Sequence, residues 1–145
     1  MTVLVIDGLE PAVGPAGGDR RHARNEFSTL TGMDTLTQMK CVACSPDSPT
    51  VTAAEVAELH PQIPDWELVE VDSIDRLTRA FAFDDFAQAL DFTRAVGELA
   101  EKEGHHPALL TEWGRTTVTW WTHKIKGLNR NDFIMAAKTD QLFGR

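Results

Sequence analysis

An α+β domain, a four-stranded antiparallel sheet with helices packed on one face, is what three features of this 145-residue chain predict. Its strand-like segments come in pairs separated by short turns, the mark of hairpins. Helical segments with clear start signals stand before, between and after those pairs, giving the order α-β-β-α-β-β-α. Strict β-α-β alternation, which would call for a parallel sheet, is missing from the pattern.

Each element has its own local signal. In "TVTAAEVAEL", Thr52 is a candidate N-cap with Glu55 three residues on, a capping box that predicts a short helix ending before Pro61. "IPDWELVEVDSIDRLTRAFAFDD" reads as a hairpin that turns at Asp-Ser. Trp66, Leu68 and Val71 lead into that turn, and "RLTRAFAF" leads out of it. Leu77, Arg79, Phe81 and Phe83 fall on one parity and Thr78, Ala80 and Ala82 on the other. An arginine among three apolar residues leaves the register open. "DDFAQALDFTRAVGELAEKEG" is the strongest helix, with a capping box at Asp85 and Gln88. Phe86, Ala89, Phe92, Val96 and Leu99 form one apolar stripe, and Gly104 stands where a left-handed C-cap is wanted. "PALLTEW" and "RTTVTWWTH" are the second strand pair, joined by a tight turn at Gly114. Alternation puts Thr116, Val118, Trp120 and Thr122 on one face. The other face receives Thr117, Thr119, Trp121 and His123, which predicts an exposed Trp121 at a covered interface. "LNRNDFIMAAKTDQLF" closes the chain as a helix with Phe133, Ile134, Ala137 and Leu142 apolar.

Composition narrows the function classes. Hydrophobic residues make up 42% and charged residues 25%, ordinary values for a globular protein. The formal net charge of -8, with no basic run, speaks against a nucleic-acid surface. No apolar run approaches the length of a membrane span. Residues 1–32 hold five of the ten glycines and break any periodicity, so they read as a flexible extension, with the folded unit over 33–145. The two cysteines, Cys41 and Cys44, form a C-x-x-C. A structural zinc site needs four ligands, and even with His60 the set stays incomplete, so the reading is two free thiols in a reducing cytoplasm.

The chemistry concentrates in "EKEGHHPALLTEWGRTTVTWWTH", which holds three of the five histidines. His105 and His106 follow a helix cap and precede Pro107, which biases His106 towards extended backbone. Adjacent side chains of an extended segment point to opposite sides, so the pair suits two different tasks better than chelation of one ion. A turn at Gly114 would return His123 to the same end of the sheet, since His105 lies nine residues before it and His123 nine after. Imidazoles exchange protons near neutral pH, which fits acid–base elimination or hydration of a small substrate. A three-histidine zinc site and a histidine that only answers a helix dipole are the competing readings. Asp132 is either the N3 partner of an Asn129 cap or a carboxylate that orients a histidine. Glu101 is either a solvated charge or a partner for His105 one turn on.

These residues also carry a resemblance. "EKEGHHP", "WWTH" and "KIKGLNRNDFIMAAK" resemble the pterin-4a-carbinolamine dehydratases, whose pattern this chain meets at Glu101, His105, His106, Pro107, Trp113, Thr122, His123, Gly127, Leu128, Asp132 and Ala136. "KCVAC", "PDWELVE" and "FAFDDFAQALDF" are similar to bacterial members. The resemblance implies dehydration of 4a-hydroxytetrahydropterin to the quinonoid dihydropterin, in pterin recycling after aromatic amino acid hydroxylation. It implies no metal or organic cofactor, and a homodimer or homotetramer. His105 and His123 would do the acid–base work and His106 would mainly bind substrate. Asp132 and Glu101 would support the histidines, while Pro107, Thr122 and Trp66 count as binding or supporting positions. Asn129 departs from the usual Thr or Ser, and Trp120 and Trp121 are bulkier than usual. Some relatives of this fold are binding proteins, namely a dimerisation cofactor for a transcription factor and assembly factors for Rubisco. A non-catalytic role of that kind is the alternative.

Overall fold

The computed structural model describes residues 35–144. The extension expected over 1–32 lies outside the described residues. The main elements are α1 (Ala53–Leu59), β1 (Glu67–Val71), β2 (Ile74–Ala82), α2 (Phe86–Glu103), β3 (Ala108–Glu112), β4 (Arg115–Trp120) and α3 (Arg130–Phe143). The order is the expected α-β-β-α-β-β-α. One antiparallel sheet forms, with strand order β1-β2-β4-β3.

The caps explain where the helices start. The Thr52 hydroxyl accepts from Glu55 N (3.2 Å), and Glu55 Oε2 accepts from Thr52 N (2.7 Å). Such a cap contributes on the order of 1 kcal/mol. At α2 the box is only half formed. Asp85 Oδ1 accepts from Gln88 N (2.8 Å), but Gln88 Oε1 turns to Asp84 N instead of the cap residue (3.3 Å). The hairpin turns follow from backbone geometry. Asp72 and Ser73 both take positive φ (53° and 61°), as a two-residue hairpin turn of matching twist needs. Gly114 takes φ 74° in the β3–β4 turn, where a side chain would be strained.

The register places Leu77 opposite Trp120 and Phe81 opposite Thr116, so these side chains share the face that α2 and α3 cover. Leu77, Phe81, Val118 and Trp120 are buried there with Phe92, Val96 and Phe133. Each such side chain is worth about 1.5–3 kcal/mol on burial. The awkward parity of β2 resolves at Arg79. It sits on the covered face because Asp140 of α3 meets it (2.6 Å) and Asp65 flanks it (3.3 Å). Burial pushes the Asp140 carboxyl up, against the opposing pull of Trp66 and Arg79.

Two expectations change. Trp66, which the resemblance counts as a binding or supporting position, lies in the core. It is 1% exposed, and its Nε1 donates to Asp140 Oδ1 (2.8 Å). Trp121 is not left exposed for a partner. It is half-buried, with the Arg76 guanidinium 4.1 Å from its ring centroid and the His123 ring 4.4 Å away. No described helix is long and apolar enough to cross a membrane.

Candidate active site

The C-terminus of α2 delivers the first two histidines. Gly104 adopts φ 67°, and its N–H bonds back to the carbonyls of Ala100 and Glu101. His105 N–H reaches the Ala100 carbonyl as well (3.1 Å), so a Schellman-type cap fixes the backbone of His105 itself. Pro107 is buried just before β3 and holds the segment extended. The two imidazoles then diverge, as alternation requires.

His105 turns inward. Its Nε2 lies 2.6 Å from Asp132 Oδ1, and its ring stacks on Trp120 at 5.6 Å and 9°. Asp132 is fully buried at the first turn of α3. Its other oxygen, Oδ2, accepts from Thr122 Oγ1 (2.7 Å) and from Asn129 N (2.8 Å). The two readings of Asp132 are therefore both correct, one per carboxylate oxygen. Three donors and a helix N-terminus balance the buried charge.

His106 turns outward and pairs with Glu101, Nε2 to Oε1 at 2.6 Å, with both side chains largely exposed. Of the two readings of Glu101, the solvated charge fits and the partner of His105 does not, since the histidine it meets is His106. The one-turn rule assumes a helix running through residue 105. Here α2 ends at Glu103, and the left-handed Gly104 swings the next residue but one into reach of Glu101.

His123 needs a further correction. β4 stops at Trp120, and a bridge between Thr122 and Gly127 encloses a 3₁₀ turn over His123–Ile125. The hairpin register pairs Leu109 with Val118, so the residue facing the level of His105 is Thr122. His123 reaches the site from the turn beyond, packed against Trp121.

Together these residues line a cavity of about 510 Å³, a size suited to a small heterocyclic ligand. His105, His106, Thr122 and His123 line it. The segment Cys41–Cys44 lines it too, which the C-x-x-C reading does not show. Both thiols are free. Burial, with the Glu103 carboxylate adding to it, pushes the Cys41 thiol up to about 12. Asn131 and Lys124 complete the wall. No local pattern announced these two, because their role lies in contacts with a segment some 80–90 residues away in sequence. Among the described residues, no group of three or more His, Cys, Asp and Glu is arranged to hold a metal ion.

Comparison with known proteins agrees with this geometry. The family model for pterin 4 alpha carbinolamine dehydratase matches residues 49–142, which include all three histidines and Asp132. A protein of Nitrosococcus oceani, provisionally named a pterin-4-alpha-carbinolamine dehydratase, is 63% identical over 110 residues, covering 76% of this chain and 97% of its own. A similarly named protein of Gloeobacter violaceus is 63% identical over 107 residues, covering 74% of this chain and 92% of its own. Among solved structures, a transcriptional coactivator/pterin dehydratase from Brucella melitensis superposes with a TM-score of 0.58 at 32% identity. That match covers 65% of this chain and 98% of the other. With the family model spanning well over half of its length, this chain belongs to the pterin 4 alpha carbinolamine dehydratase family.

Proposed function

We propose that the protein is a hydro-lyase that dehydrates 4a-hydroxytetrahydropterin to the quinonoid dihydropterin, by histidine acid–base catalysis. The observation that carries this is the Asp132–His105 pair at the cavity, 2.6 Å apart, beside a second imidazole from His123. In the reaction the C4a–O bond breaks and the oxygen leaves as water, taking a proton from a general acid. N5 gives up its proton to a general base, and its electron pair forms the N5=C4a double bond.

His105 is the base in this reading. With Nε2–H donated to the Asp132 carboxylate, Nδ1 is left as the acceptor nitrogen. As the ring takes up a proton, Asp132 stabilises the imidazolium and holds its orientation. Stacking on Trp120 restricts the ring further. His123, on the solvent side, is the acid that protonates the departing hydroxyl, and exchange with water restores both rings. His106, held by Glu101, binds substrate, and Pro107 and Thr122 support the arrangement. Each placed acid or base is worth about 10²–10⁴ in rate.

The physiological setting in this reading is recycling of pterin after aromatic amino acid hydroxylation, in the cytoplasm, where free Cys41 and Cys44 would stay reduced. A homodimer or homotetramer belongs to the same reading. The sheet face without helices carries Val69, Val71 and Ile74, apolar surface that a second copy would cover. The test is the decay of 4a-hydroxytetrahydropterin absorbance with purified protein. Acceleration over buffer that His105→Ala and His123→Ala each reduce about 10²–10⁴-fold is the expected result. Decay no faster than in buffer would refute the reading.

A further inference from the structure

Residues 41–44 have no role in the proton transfer, yet they line the same cavity as the histidines. They belong to no helix or strand, so something other than regular structure must hold them. Side chains from the site's own framework do so. The Asn131 carboxamide grips Val42 from both sides: Val42 N donates to Oδ1 (3.0 Å), and Nδ2 donates to the Val42 carbonyl (2.6 Å). The same Nδ2 lies 3.1 Å from Cys44 Sγ. Lys124, next to His123, donates to the Cys44 carbonyl (3.2 Å). Glu103, two residues before His105, flanks the Cys41 backbone.

Asn131 is buried, 4% exposed, and its neighbour in the chain is Asp132. Its carboxamide hydrogen-bonds no other residue of α3, only the 41–44 segment. Meanwhile Val42, which lines the cavity, is 75% exposed, an unusual position for an apolar side chain whose backbone is clamped. A flat heterocycle seated among the histidines would cover it.

We infer that Cys41–Cys44 is a fixed strap forming the ligand-facing wall of the cavity, and that Asn131 is the positioning residue that sets it. The inference rests on the pterin reading of the site. The strap supplies shape and apolar contact, while proton transfer stays with the imidazoles. Loss of the strap should therefore weaken binding and spare the chemical step.

The experiment compares wild type with Asn131→Asp and Val42→Gly. Asn131→Asp keeps the acceptor for Val42 N–H but sets a carboxylate oxygen against the Val42 carbonyl, which expels the strap. The new charge falls at the N-terminus of α3, and the melting temperature and circular dichroism of the variant check that the fold is retained. Val42→Gly lies on the surface and removes only the apolar lip. KM for 4a-hydroxytetrahydropterin and Kd for 7,8-dihydrobiopterin should each rise about tenfold in Asn131→Asp, the loss of two to three hydrogen bonds. Val42→Gly should raise both in the same direction, and kcat should stay within about twofold in both variants. Unchanged KM and Kd with an active wild type would overturn the strap and leave the dehydratase reading intact. An equal fall of kcat and kcat/KM would overturn it too, making Asn131 a support of Asp132. If wild type binds 7,8-dihydrobiopterin without turning over the carbinolamine, the Kd values alone decide the strap. A wild type that neither binds nor reacts refutes both proposals.

Discussion

Asp132 divides its carboxylate between two tasks: Oδ1 holds His105 Nε2 at 2.6 Å, and Oδ2 accepts Asn129 N at 2.8 Å. The oxygen that caps α3 thus fixes the position of the oxygen that orients the imidazole. Asp132→Asn breaks this economy. Its amide group must face a donor on one side or the other, leaving a buried clash that costs about 1–3 kcal/mol. In the proposed mechanism it also removes the anion that stabilises the protonated ring. The expected outcome is a lowered melting temperature together with a fall in kcat of roughly 10²-fold or more. His105→Ala should lose comparable activity with a smaller loss of stability. Activity near wild type in Asp132→Asn would remove His105 from the role of base.

Local signals carried most of the fold. Thr52, Asp85, Gly104 and Asn129 mark helix ends through interactions within four residues, which a sequence displays directly. The Gly114 turn and the parity of Thr116, Val118 and Trp120 set the β3–β4 pair in the same way. The misplacements have two causes, contacts far apart in sequence and the detailed geometry of a local turn or helix end. Trp66 sits in the core because Asp140, 74 residues away, accepts its indole N–H. Arg79 breaks the apolar parity for the same reason. His123 was placed by a symmetric turn centred on Gly114, whereas the two-residue turn Trp113–Gly114 shifts the mirror by one and brings Thr122 to His105's level. Thr122 was picked out by the motif and not by geometry, yet it proved to be the donor that completes Asp132.

The exposed pair tests the division of labour between the adjacent histidines. Glu101 and His106 side chains are 79% and 54% exposed, so their hydrogen bond competes with water. Glu101→Gln should leave stability within about 0.5 kcal/mol of wild type. If His106 serves binding, His106→Ala and Glu101→Gln should raise KM while kcat stays near wild type. Steady-state kinetics on the two variants decides it. A collapse of kcat in His106→Ala would move His106 into the proton-transfer machinery.

Cys41 should behave as an inert thiol. With its pKa pushed up to about 12 by burial, almost none of it is thiolate at pH 8. The higher basicity of its thiolate recovers part of the rate, so alkylation should run about two orders of magnitude slower than for an ordinary thiol. Mass spectrometry after timed iodoacetamide treatment of the native protein should find Cys41 unmodified long after a free-thiol control has reacted. Rapid labelling of Cys41 would mean that the strap opens readily, and would count against the wall it is proposed to form.

Glu103 ties the end of α2 to α3 through Lys138, Nζ to Oε1 at 2.6 Å, with both side chains mostly buried. The Lys138 bond holds the Glu103 carboxyl below its ordinary value of 4.5. A carboxyl whose folded pKa is depressed stabilises the fold above its unfolded pKa. That contribution is lost as pH falls through the folded value, because the folded state must then accept a proton it resists. Glu103→Gln should therefore cost about 1–3 kcal/mol at pH 7, and the gap to wild type should narrow as pH drops below 4.5. Urea unfolding of both proteins at pH 7 and pH 3 measures the gap directly. A gap of equal size at both pH values would show that the ion pair is not what links the two helices, and that Glu103 acts there through packing alone.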